Sequence, residues 1–214
     1  MDLSIVIVNY KNKNKLSVCL NSIAKAEIKD LSYEIILVEN NSGEDLSDLV
    51  DSAPNIRLIV SKNNLGMGGG NNLGIKSAQG EYILVLNPDT NIQGKAISVL
   101  FNYLKNNSSV GLLGPKLLNP DGSLQYSCSR FPKLYMPILR RTFLGKYFKV
   151  NSDSFLMKNS DHNLIQEVGW LMGSALMFKK RLVKADGEAW EPEFDEHYFM
   201  YFEESDFCLK AVKS

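Results

Sequence analysis

The sequence predicts an α/β fold, a mostly parallel sheet flanked by helices, and three observations carry that prediction. Short apolar runs rich in β-formers alternate with helically spaced segments from Leu3 to Leu86, in the order β-α-β-α-β-loop-α-β. That order is the signature of parallel strands joined by crossover helices. The run Tyr82-Ile83-Leu84-Val85-Leu86 is apolar throughout, as expected of a central strand covered on both faces. It stops at Asn87-Pro88-Asp89-Thr90, where Pro88 cannot donate to a sheet ladder.

The first strand is Leu3–Val8, ending at Asn9-Tyr10. Lys11–Lys25 follows with Leu16, Leu20 and Ile23 at helical spacing. Tyr33–Val38 is the second strand, Ser47–Ala53 a short helix closed by Pro54, and Ile56–Ser61 the third strand. The glycine- and asparagine-rich stretch Lys62–Asn72 reads as a loop before a helix over Asn72–Ala78. Beyond the central strand come a helix over Ala96–Lys105 and a strand in Val110–Gly114. Asn119-Pro120-Asp121-Gly122 is a turn signal able to close a hairpin. Val150–Gln166 is polar and poorly patterned, an expected mobile excursion. A helix is expected to begin near Glu204.

At 214 residues the chain can bury a sizeable core. Its formal net charge of zero argues against a general nucleic-acid binder. Cys19, Cys128 and Cys208 are scattered and form no CxxC, which suggests neither a zinc site nor a redox pair and fits a reducing cytoplasm. No stretch has the length of apolar sequence that spans a membrane.

Asp89 lies just past the carboxyl end of a central strand, where open α/β sheets bind ligands. A carboxylate there suits a hard divalent cation on a substrate's phosphates. The plainer alternative is a loop in which Asp89 or Thr90 caps the next helix. Around Asn64, Gly66 and Asn71 the spacing G-x-G-x-x-G is not met, which weakens a dinucleotide reading. Backbone amides and amide side chains at a helix start nevertheless suit a phosphorylated or sugar ligand. Glu39, past the second strand, can accept hydrogen bonds from ribose hydroxyls or a base edge, or be a solvated loop acid. Glu203, Glu204 and Asp206 put three carboxylates close together, after aromatic residues not all expected to face water. Such crowding raises carboxyl pKa values and can tune a general base. Acidic residues in a helix first turn are the simpler explanation.

Six stretches occur in order: VIVNY, VENNS, KNNLGMGGGNNLGI, LVLNPDT, VGWLMGSALMF and FDEHYFMYFEESDFCLK. Together they resemble the glycosyltransferase family 2 pattern, particularly its rhamnosyltransferase-like branch. The resemblance implies a GT-A fold in one domain over 1–214. Its nucleotide-sugar-binding part would be 1–115 and its acceptor-binding part 116–214. It further implies a metal-dependent inverting transfer of a sugar from a dTDP- or UDP-sugar to a saccharide or lipid-linked acceptor, assisted by Mg²⁺ or Mn²⁺. On this resemblance Asn9 and Tyr10 line the nucleoside pocket, and Glu39 stands where the family usually has Asp. Asn87-Pro88-Asp89 stands at the metal motif, with Asp89 the main protein ligand. Trp170, Leu171, Met172 and Gly173 frame the acceptor site. Glu203-Glu204 match the family's acidic pair, Glu204 being the expected base and Asp206 the next candidate.

Two further expectations concern setting. The chain stops at Ser214, soon after the acidic helix, so a truncated, non-catalytic nucleotide-sugar-binding or assembly module is the alternative. The basic, aromatic segment Arg130–Lys149 has six basic residues and no acidic one. It is either a cover over the sheet or a contact with the inner face of a membrane, near a lipid-linked acceptor.

Overall fold

A computed structural model of the chain describes residues 1–131, 156–183 and 187–213. These fall into two compact units, one of residues 1–115 with 173–214 and one of residues 116–172. Residues from 173 onward belong to the first unit, because they supply a strand of its main sheet.

In the first unit, β1 (Leu3–Asn9), β2 (Tyr33–Glu39), β3 (Ile56–Val60) and β4 (Tyr82–Leu86) are parallel where they pair. The helices between them are α1 (Lys13–Lys25), the single turn α2 (Ser47–Val50) and α3 (Gly66–Ser77). Then follow α4 (Ala96–Asn106) and the short β5 (Leu112–Leu113). The second unit carries β6 (Leu117–Leu118), β7 (Leu124–Gln125), β8 (Cys128–Ser129) and β9 (Trp170–Leu171). The first unit resumes with β10 (Ala175–Lys179), the two-stranded pair β11 (Leu182–Val183) and β12 (Ala189–Trp190), and α5 (Glu203–Lys213). The six-stranded order is β3-β2-β1-β4-β10-β5, with β10 antiparallel to both neighbours.

Burial explains the patterns. β1 and β4 are buried along their whole length, as their unbroken apolar runs require. Leu16, Cys19, Leu20 and Ile23 of α1 join Ile97, Leu100, Phe101 and Leu104 of α4 in the principal core cluster. At the amino-terminal edge of the sheet, buried Glu34 accepts hydrogen bonds from Ser4 Oγ, Gln79 N and Arg57, so a carboxylate at that end is structural.

The largest departure from the sequence reading is α3. It begins at Gly66 rather than near Asn72, so most of the expected loop is helical. Glycine's low helix propensity, about 1 kcal/mol below alanine, argues for a loop. Packing overrides it: a Cβ on Gly74 would lie 2.3 Å from Val6 Cγ1 of β1. The glycines therefore serve a helix pressed onto the sheet. Of the aromatic stretch, not all of it expected to face water, Phe194 enters the core while Tyr198, Phe199, Met200, Tyr201 and Phe202 are exposed.

In the second unit the Asn119–Gly122 turn closes the hairpin β6–β7, and β8 pairs with β9. Residues 132–149 of the basic, aromatic segment lie outside the described residues, as do 150–155 of the excursion.

Candidate active site

The carboxyl ends of β1, β2 and β4 meet at one edge of the sheet, where crossover topology leaves a crevice for a ligand. Asn9 closes β1 and is fully buried; its Nδ2 donates to Glu44 Oε2 at 2.8 Å, while its Oδ1 has no hydrogen-bond partner among the described residues. Tyr10 next to it is 45% exposed and available as a pocket wall. Glu39 closes β2, buried, and its Oε1 accepts from both the backbone N and the hydroxyl of Ser42.

Glu44 is a residue the sequence reading passed over. Its carboxylate accepts from Asn9 Nδ2, from Asn12 N at 2.9 Å and from Lys13 N at 3.2 Å. It thus places a negative charge on the start of α1 and ties the loop after β2 to the turn after β1. The signal available was an acid a few residues past a strand end, too common to single out.

Asn40, also unassigned by the sequence reading, joins β2 to the start of α3. Its Nδ2 donates to Asn64 Oδ1 and Gly66 O, and its Oδ1 accepts from Leu65 N. Asn64 Oδ1 in turn accepts from Gly66 N. Met67 N donates to Phe199 O at 3.1 Å. Three leading amides of α3 are therefore held by the protein itself. Asn71 is buried inside the helix.

Asn87-Pro88-Asp89 follows β4. Asn87 N donates to Ser174 O at 2.9 Å, and Asn87 O accepts from Thr90 Oγ1 at 2.7 Å. α4 starts only at Ala96, with Lys95 preceding it, so neither Asp89 nor Thr90 caps it. Asp89 is half-exposed, with Lys15 Nζ at 3.7 Å. Among the described residues no three histidine, cysteine or acidic side chains converge to hold a metal. Asp89 alone offers one hard oxygen ligand. That suits a Mg²⁺-like ion which keeps waters and takes its other ligands from substrate phosphates.

The acidic helix reaches the same edge. Glu203, Glu204 and Asp206 lie in the first turn of α5. Glu203 is buried, its Oε2 has no partner among the described residues, and burial first, then the neighbouring Glu204, pushes its carboxyl above the usual range. Glu204 is more open to solvent. Asp206 is ion-paired with Lys210 at 2.7 Å. Of the acceptor-side residues, Gly173 belongs to this unit: a Cβ there would lie 3.6 Å from Glu204 Cβ. Gly173-Ser174 thus links Glu204 to Asn87. Trp170 and Leu171 form β9 in the other unit, and Met172 N donates to Ser127 O within it.

A mostly parallel sheet with buried Asn9 and Glu39 closing β1 and β2, Asp89 past β4 and an acidic helix beside it is the GT-A architecture. Residues 4–165 match the glycosyl transferase family 2 profile, and the chain belongs to that family. It is 29% identical to the low-salt glycan biosynthesis hexosyltransferase Agl10 of Haloferax volcanii, over 98% of this chain and 61% of that one. It is 28% identical to the N-acetylglucosaminyl-diphospho-decaprenol L-rhamnosyltransferase of Mycobacterium tuberculosis, over 99% of this chain and 71% of that one. The crystal structure of Staphylococcus aureus TarS 1-349 in complex with UDP superposes with a TM-score of 0.63 at 17% identity, over 99% of this chain and 55% of that one.

Proposed function

We propose that this chain transfers a sugar from a nucleoside-diphosphate donor, dTDP-rhamnose or a UDP-sugar, to a saccharide or lipid-linked acceptor, with inversion at the anomeric carbon. The setting is cell-surface polysaccharide synthesis, in the cytoplasm or at the inner face of the cell membrane. The relatives' names, a hexosyltransferase and an L-rhamnosyltransferase, support the reaction class, and the UDP complex of TarS supports a nucleotide-sugar donor. Among the described residues no helix is long and apolar enough to cross a membrane.

One observation carries the reading. Asn87-Pro88-Asp89 and Glu204 arrive at one edge of the sheet from opposite ends of the unit, joined through Gly173-Ser174. Inversion is a single displacement and needs such an arrangement. Glu204 accepts the proton of the acceptor hydroxyl as that oxygen bonds to the anomeric carbon. The bond to the diphosphate breaks, and the nucleoside diphosphate leaves with the electron pair. Burial keeps a proton on Glu203 to higher pH than usual; Glu204, the more exposed of the two, is the member placed to meet an acceptor. Asp89 would hold a Mg²⁺ or Mn²⁺, which would supply positive charge to offset that of the departing diphosphate. Glu39 and Tyr10 face the nucleoside, Asn9 acting from behind through Glu44.

Calorimetric titration with UDP and with dTDP, each with and without Mn²⁺, tests the reading. Metal-dependent binding of one nucleotide is expected. Absence of binding to both would leave the assembly-module alternative.

A further inference from the structure

The glycine-rich start of α3 does more than pack on the sheet. Asn72, one turn past Gly68 on the same face, is buried and makes three hydrogen bonds to the segment before α5. Phe194 N donates to its Oδ1 at 2.8 Å, and its Nδ2 donates to Phe194 O at 2.8 Å and to Glu196 Oε1 at 3.0 Å. The amide thus pairs with Phe194 as a neighbouring peptide group would. A second anchor lies nearby, Met67 N donating to Phe199 O. Between them the chain lies so close to α3 that a Cβ on Gly66 would stand 2.1 Å from Phe199 O.

Phe194 itself is buried and stacked on Phe207 of α5, but the stretch after it has little packing of its own. Tyr201 and Phe202 have φ of 69° and 71°, a backbone region unfavourable for bulky side chains. Their side chains, with those of Phe199 and Met200, are more than half exposed. Yet the next residues are Glu203 and Glu204.

We infer that Asn72 is a positioning residue for the reaction: it seats the segment 194–202 on α3 and so sets where the base Glu204 stands at the sheet edge. The inference rests on the role proposed above for Glu204. The seat is also continuous with the donor side, because Asn40 holds the start of α3 to the end of β2. One helix therefore references both halves of the site.

The test is Asn72→Asp, which keeps the volume and the acceptor for Phe194 N but turns the donor into a carboxylate oxygen facing Phe194 O and Glu196. Three readouts are taken on the whole chain: UDP affinity, turnover of UDP- and dTDP-sugars, and amide hydrogen exchange. Exchange over 194–202 is expected to quicken on the order of tenfold while β1 and β4 stay protected. Turnover is expected to fall about 100-fold, the cost of misplacing a reacting group, with UDP affinity unchanged. Gly68→Ala presses on the same seat without removing a hydrogen bond, since its Cβ would meet Phe194 Cβ at 3.2 Å and Glu203 Cβ at 3.6 Å. Helix propensity favours that change, so turnover should fall while thermal stability holds. Unchanged exchange over 194–202 in Asn72→Asp overturns the inference, whether or not turnover falls. Quickened exchange with undiminished turnover overturns it too. If the wild type neither binds nor turns over a nucleotide-sugar, the functional reading fails, and the exchange result still decides whether Asn72 seats the segment.

Discussion

The two rims of the site are built in opposite ways. On the donor rim the carboxylates are bonded by groups near them in the fold: buried Glu39 by Ser42, and partly buried Glu44 by Asn9, Asn12 and Lys13. On the acid rim Glu203 is buried with one oxygen unpartnered among the described residues, two bulky residues hold left-handed backbone, and aromatic side chains face outward. The difference is between a rim shaped to receive a ligand without moving and one that holds a reactive group under tension. Burial raises the Glu203 carboxyl, so that it keeps its proton to higher pH than usual.

The largest effect should come from the acid rim. Glu204→Gln preserves shape and loses the base, so transfer should fall roughly 10²–10⁴-fold while UDP affinity is unchanged. Steady-state turnover beside calorimetry separates the two, and full activity would move the role to Asp206 or Glu203. On the donor side Asp89→Ala should remove the metal-dependent part of UDP affinity, about 10–100-fold. It should leave the metal-free affinity alone, which titrations with and without Mn²⁺ read directly.

A third change asks whether the donor rim really is preformed. Glu44→Ala frees Asn9 Nδ2 and two leading amides of the turn into α1. Losing hydrogen bonds to a charged group costs about 1.5–3 kcal/mol. Urea unfolding should show that loss, and UDP affinity should drop with it. Glu44→Gln, which can still accept, should recover part of both.

The same contrast governs what could be read from sequence. The donor rim is local: β1, β2 and β4 announce themselves by apolar runs, and Pro88 marks where β4 ends. Glu39 and Asp89 could be named from the strand ends, Asn9 and Tyr10 only from the family resemblance, and Glu44 and Asn40 not at all, since their partners are set by how loops fold back. The acid rim depends on contacts that no local pattern carries. Asn72 bonds Phe194 and Glu196 across 122 and 124 positions of chain. A glycine run reads as a loop until the sheet beneath and the segment above are in place, and only then do Gly66 and Gly74 read as points of close approach. The strand β10 was hidden likewise, since its apolar run does not say that it enters the sheet antiparallel beside β4.

The smallest expected effect probes the tension itself. Burial and the adjacent Glu204 raise the Glu203 carboxyl in the folded chain. Between its unfolded and its folded pKa the native state then holds more protons than the unfolded one, and stability declines as pH rises through that window. Below the unfolded value both states are protonated and the penalty vanishes. Glu203→Gln, which cannot ionise, should match the wild type in thermal stability at pH 4 and exceed it at pH 8, by less than the loss seen in Glu44→Ala. A wild-type advantage at pH 8 would mean that the charged form is stabilised by the fold. The acid rim would then be as saturated as the donor rim, and the proton in the acidic pair would belong elsewhere than on Glu203.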